Sequence, residues 1–158
     1  MRINRVFARQ VLNSRGSPTI EAIVFTKNGA FSGASPSGVS TGEKEAVQLS
    51  DGGKKFSGLG VQKAVKLANT IIAKKIVGAG FGTQKEFDEF LIELDGTKNK
   101  SRLGGNTTIA LSIAFFKALS AESNLEHYEL FAKIMGKTPS MPVMTLNFIE
   151  GGAHAGNN

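Results

Sequence analysis

A chain of 158 residues with 41% apolar and 20% charged side chains has the size and make-up of one globular domain, long enough to bury roughly 70% of its unfolded surface. The absence of cysteine excludes disulfides and thiolate metal sites and favours a cytoplasmic address, while no apolar run is long enough for a signal peptide or a membrane span. The formal net charge is +6, but lysines run along the whole chain and the densest group, Lys98, Lys100 and Arg102, has no interleaved aromatics for base stacking, so it reads as solvated surface with no nucleic acid expected.

The first elements are strands. Residues 2 to 9 form one, and Thr19–Thr26, rich in β-branched and aromatic side chains, forms a second. Lys27-Asn28-Gly29 predicts a hairpin turn, because Asn and Gly both tolerate positive φ. Ala30–Ala34 returns as the partner strand and Pro36 stops it. From residue 61 the apolar period lengthens. Val61, Val65, Ala68, Ile72 and Ile76 recur at helical spacing. Gly78, Gly80 and Gly82 lack dinucleotide-fingerprint spacing and follow a helix rather than a strand, so they mark a turn between helices. Thr83 and Glu86 match a capping box ahead of a stripe of Phe87, Phe90, Leu91 and Leu94 that ends at Asp95-Gly96. The segment from Asn106 to Glu122 is apolar nearly all round, as for a helix enclosed on most sides. A last helix runs from Glu126 to Met135 and stops at Gly136 and Pro139. The fold class is therefore α+β: a three-stranded antiparallel meander followed by four helices.

Two loops could carry chemistry. Ser35–Glu43 packs two glycines, three serines and a threonine into a few residues, so its backbone can approach an anion closely and its hydroxyls can ligate a hard cation such as Mg²⁺. At the other end Pro142–Ile149 reads as a buried strand opening into Gly151-Gly-Ala-His154-Ala-Gly156. A histidine flanked by small residues is open to a ligand. His127, beside Tyr128, reads as packing or surface. No nucleophile elbow, hydrolase triad or metal-ligand spacing is present. The parts amount to half a site at most.

The run Arg9–Glu21, then Pro36–Gly42 with Glu45 and Ala46, then Glu93–Gly104 with Asn106, and finally Gly151–Asn157 resembles the enolase (phosphopyruvate hydratase) family, collinearly over almost the whole chain. The resemblance implies that residues 1–138 are an enolase-like N-terminal domain. It implies that 139–158 are the first strand and loop of a truncated C-terminal α/β barrel, a fold that takes about 250 residues. The implied activity is dehydration of 2-phosphoglycerate to phosphoenolpyruvate in glycolysis and gluconeogenesis, with two Mg²⁺ ions in the complete enzyme.

Residue by residue, the resemblance makes Ser40 the loop ligand of the second Mg²⁺. Ser37, Gly38, Thr41 and Gly42 become the body of a mobile lid. His154 becomes the catalytic-site histidine that contacts substrate, with Gly152 and Ala155 leaving it room. Arg15 falls on a surface that packs against a partner subunit or the barrel, and the complete protein is expected to be a homodimer or higher oligomer. The carboxylates for the other metal, the catalytic glutamate and the lysine base fall beyond residue 158, so this chain alone is expected to be inactive. A non-catalytic binding module is the alternative. The chain departs from the family pattern at Asn13, Ser17, Ser50, Gly53 and Asn158, and at Glu150, which brings a negative charge close to an anionic substrate.

Overall fold

Alternating side chains divide the first strands into two faces, and the inner face is what the helices cover. The computed structural model describes residues 1–38 and 42–149. Strands β1 (Arg5–Leu12), β2 (Pro18–Thr26) and β3 (Gly29–Ala34) form an antiparallel sheet in the order β1-β2-β3. Val6, Ala8, Ile20, Ala22 and Val24 point inward and are buried. The hairpin differs from expectation by one residue. Thr26 pairs with Gly29, so Lys27 and Asn28 make the turn, and of these three only Gly29 has a positive φ. The Thr26 hydroxyl accepts the Asn28 amide at 3.1 Å, which supports the turn without a left-handed asparagine.

Four helices follow among the described residues. The first, α1, starts as Gln62–Leu67, widens into a π-helical turn at Ala68–Ile72 and finishes as Ala73–Ile76. Its buried side is Ala64, Ala68, Ile72 and Ile76. The π turn serves a visible purpose. Asn69 accepts the Ala8 amide through Oδ1 at 2.7 Å and donates to the Ala8 carbonyl through Nδ2 at 2.8 Å, copying a neighbouring strand on the open edge of β1.

Helix α2 (Gln84–Asp95) is capped by Thr83, whose side chain accepts the Glu86 amide at 3.1 Å, and Glu86 in return accepts the Gly82 amide at 2.7 Å. The reciprocal arm thus reaches one residue further back than a capping box requires. Helix α3 (Gly105–Glu122) crosses the sheet at close range, with Ala110, Ala114 and Ala118 buried. Ile109 is exposed, which leaves one open seam on a helix expected to be enclosed on most sides. Phe115 of α3 stacks on Phe87 of α2 with centroids 4.1 Å apart, and Phe81 meets both rings edge-on. Helix α4 (His127–Met135) ends at Gly136, whose positive φ makes the left-handed cap.

The strand expected at Pro142–Ile149 does not form. The segment pairs with no strand, and Met141, Val143, Met144, Leu146, Phe148 and Ile149 are each 84–95% exposed. A strand exists only through hydrogen bonds to a neighbour, and the three-stranded sheet offers this segment none. Beside it α4 exposes Tyr128, Phe131, Ile134 and Met135, and Tyr128, Phe131 and Met135 line an apolar groove with Phe116 and Pro139.

Candidate functional site

The serine loop leaves β3 over a cavity of about 330 Å³, where Asn13, Arg15, Ser17, Ser37, Gln48 and Asn106 stand among apolar neighbours such as Leu49, Leu59 and Val61. Three segments build it. The first is the β1–β2 turn, where Asn13 Oδ1 accepts the amides of Arg15 at 2.9 Å and Ser17 at 3.0 Å. That Asx-type turn leaves the Asn13 amide nitrogen free to donate to Ser37 Oγ at 2.6 Å. It also presents Arg15, whose guanidinium donates to the carbonyls of Ser37 and Gly38, each at 3.4 Å. The second segment, the root of the serine loop, is fixed at its base. Thr19 Oγ1 donates to the Ser35 carbonyl at 2.7 Å, and the Ser35 amide donates to the Ile20 carbonyl at 3.0 Å.

The third segment is the loop through Leu49, which has no regular structure and is held by side chains instead. Asn106, buried at the start of α3, donates to the Leu49 carbonyl at 3.0 Å and accepts the Leu49 amide at 3.1 Å. Val47 pairs in both directions, its amide with the Asn99 carbonyl and its carbonyl with the Gly105 amide. Gly104, at φ 90°, must be glycine, because a Cβ there would lie 2.7 Å from Leu49 Cγ. Asp51 closes the loop and caps α1 from outside, accepting the amides of Gln62 and Lys63, each at 2.8 Å.

Asp95 holds the other side of this scaffold. It is 1% exposed, accepts the amides of Thr97 and Leu103, and accepts the Thr97 hydroxyl. Burial, the largest single influence on its carboxyl, pushes the pKa up. Hydrogen bonds from the Thr97 hydroxyl and from the backbone of Leu103, Thr97 and Arg102 outweigh it together and hold the group below its ordinary value.

Of the residues singled out in the sequence, Ser37 and Gly38 stand at the rim of the cavity, and Gly42 follows, its carbonyl accepting the Glu45 amide at 3.1 Å. Ser40, Thr41 and His154 lie outside the described residues. His127 is exposed at the start of α4, 6.1 Å from the Phe116 ring. Among the described residues no group of three His, Asp or Glu side chains could hold a metal ion. No helix among them is long and apolar enough to cross a membrane.

The family model "Enolase, N-terminal domain" matches residues 3–131. The chain belongs to the enolase family. It is 49% identical over 156 residues to the enolase of Aeropyrum pernix, an alignment covering 98% of this chain and 36% of that protein. To enolase 1 of Entamoeba histolytica it is 48% identical over 159 residues, covering 99% and 36%. The chain thus spans about a third of the length of these relatives. The three-stranded sheet with its following helices is the enolase N-terminal domain, and the cavity lies where the β1–β2 turn, the root of the serine loop and Asn106 meet.

Sequence reasoning placed Arg15 on an outward packing surface and did not connect it with the serine loop. The signal was there in part: an Asn at the head of a turn can accept the amides that follow it, which fixes the turn from which Arg15 projects. Arg15 is exposed, so Arg15→Ala should leave the thermal midpoint almost unchanged. It should loosen the loop root. Backbone ¹⁵N order parameters at Ser37 and Gly38 should fall from rigid values near 0.85 to below about 0.6. Unchanged order at both residues would show that the guanidinium does not hold them.

Proposed function

We propose that this chain is the N-terminal part of a phosphopyruvate hydratase, with residues 1–138 as the lid-bearing domain and 139–158 as the first strand and loop of a barrel. The observation that supports this most directly is the family match together with the exposed apolar segment Met141–Ile149, which runs past a groove of Phe116, Tyr128, Phe131 and Met135. A strand-like sequence with exposed apolar side chains next to an exposed apolar helix face fits a domain that continues into another layer.

In that assembly the Ser37–Gly42 segment is the lid over 2-phosphoglycerate, and small residues let it close without clashes. Ser40 supplies one oxygen ligand to Mg²⁺, and His154 contacts the substrate at the barrel mouth. Mg²⁺, when bound, stabilises the negative charge that develops when the proton beside the substrate carboxylate is removed. The hard hydroxyl of Ser40 suits such an ion. The described residues offer no carboxylate cluster to complete the shell, so the remaining ligands come from outside them. Arg15 and Asn13 hold the lid root at Ser37 and Gly38, which reduces the freedom the lid loses on closing. We read this function as a step of glycolysis and gluconeogenesis in the cytoplasm, with a homo-oligomer as the working form.

The test is an assay of phosphoenolpyruvate formation by ultraviolet absorbance with Mg²⁺ present. The pure 158-residue protein should give no turnover. Adding the C-terminal two-thirds of the Aeropyrum pernix enolase, in trans or fused after Asn158, should produce it, because catalytic groups that act together lose most of their effect when separated. Turnover by the chain alone would overturn this reading, as would inactivity of a folded fusion.

A further inference from the structure

The even spread of lysines read from the sequence does not survive a count against the acids. Between Asp51 and Glu86 stand seven lysines and no acidic residue, whereas the rest of the chain carries twelve basic and thirteen acidic side chains. One segment therefore holds more than the whole net charge of +6. It runs from the turn before α1 through α1 itself, which carry six of the seven, to Lys85 in the first turn of α2.

Of the seven, only Lys85 has an ion-pair partner among the described residues, Glu89 at 3.7 Å. Lys63, Lys66, Lys74 and Lys75 are all exposed on α1, and Lys54 and Lys55 are exposed on the turn leading into it. Helix stability does not account for this arrangement. Lys74 and Lys75 suit the negative end of the helix dipole, but Lys63 occupies the first turn, where a cation is unfavourable, and it repels Lys66 three residues on. Ile71, three and four residues before Lys74 and Lys75, is 40% exposed on the same helix, and Val77, directly after its end, is 43% exposed.

We propose that the outer face of α1 is a docking surface for an acidic polypeptide segment with apolar anchors, supplied by a protein partner. Charge complementarity sets the sign of the partner, and the residue types choose its class. Lysine gives point charges rather than the planar forks that grip phosphate, and α1 carries no aromatic on which bases could stack in succession, the exposed Phe56 standing alone on the turn before it. Ile71 and Val77 give a protein partner apolar contacts that a phosphate backbone cannot use. They are too few to anchor a helix in a bilayer. The surface lies on a different element from the serine loop, so the proposal stands apart from the catalytic reading.

The experiment uses the 158-residue chain and a fluorescein-labelled peptide of alternating Glu and Leu, followed by anisotropy at several salt concentrations. Binding should weaken with salt. The triple variant Lys63→Gln, Lys66→Gln, Lys74→Gln should bind roughly tenfold more weakly, as expected when several complementary charges are lost. Lys98→Gln, Lys117→Gln, Lys133→Gln, with the same change in net charge, should stay within about twofold of the parent, since rim charges far from a contact matter little. Ile71→Ser should weaken peptide binding without altering the thermal midpoint. Equal losses in both triple variants would overturn the proposal, leaving only net charge. So would no effect of Ile71→Ser, or tighter binding of a uridine oligonucleotide or of phosphatidylserine vesicles than of the peptide.

Discussion

Gly33→Ala should cost this domain more than roughly 3 kcal/mol, the upper range for overpacking a core. Gly33 pairs with Ala22 in the sheet, and α3 passes directly over it. A Cβ at that point would run into the carbonyl oxygen of Ala110 and sit 2.5 Å from the Ala114 nitrogen and 2.8 Å from Ile113 Cβ. Two of these three obstacles are helix backbone, so no rotamer change relieves the clash. The helix must lift off the sheet. That movement would separate β3 from α3, the elements that carry the serine loop and Asn106, and the cavity between them would open. Urea unfolding should show the loss as a lower midpoint with an unchanged slope. Gly80→Ala is the control: its nearest obstacle is the Met1 carbonyl at 3.9 Å and its φ is ordinary, so its effect should stay within about 0.5 kcal/mol. Equal behaviour of the two variants would refute the close approach of α3.

Asp95→Ala should be nearly as damaging, at about 3 kcal/mol, because it strips a buried acceptor from the Leu103 and Thr97 amides and the Thr97 hydroxyl. The same carboxylate gives a pH dependence of known sign. Its pKa in the folded protein lies below the ordinary 3.8. The stability it contributes is therefore present in full above the unfolded value and drains away as the pH falls through the lower folded value. Acid unfolding followed by circular dichroism should show this loss in the parent. The slope of stability against pH below about 4 should be shallower in Asp95→Asn, which cannot titrate. An identical acid profile in both proteins would show that Asp95 is not held in its charged form.

Local patterns in the chain account for most of the fold. Alternation in Thr19–Thr26, the helical period from Val61 to Ile76 and the Thr83 cap each depend on neighbours a few residues away, and each appears where expected. What escaped is what depends on distant partners. Asn69 and Asn106 each grip a backbone unit far along the chain, Ala8 and Leu49, through paired hydrogen bonds. No periodicity announces such a pair. The hairpin at Lys27 and Asn28 moved by one residue because Thr26 could brace the turn with its hydroxyl. Pro142–Ile149 has the composition of a strand, but composition cannot provide the neighbour a strand needs. In the candidate site, the loop motif pointed to Ser37 and Gly38. The hold exerted on them by Asn13 and Arg15 is a matter of three-dimensional reach between two turns.

The amide of Asn69 has one more implication. By occupying both polar groups of Ala8, it blocks the middle of β1 as a seat for an incoming strand from another molecule. Aggregates of this chain should therefore grow from the exposed apolar side chains of Met141–Ile149 and not by sheet extension at β1, and trimming that stretch should keep concentrated solutions clear.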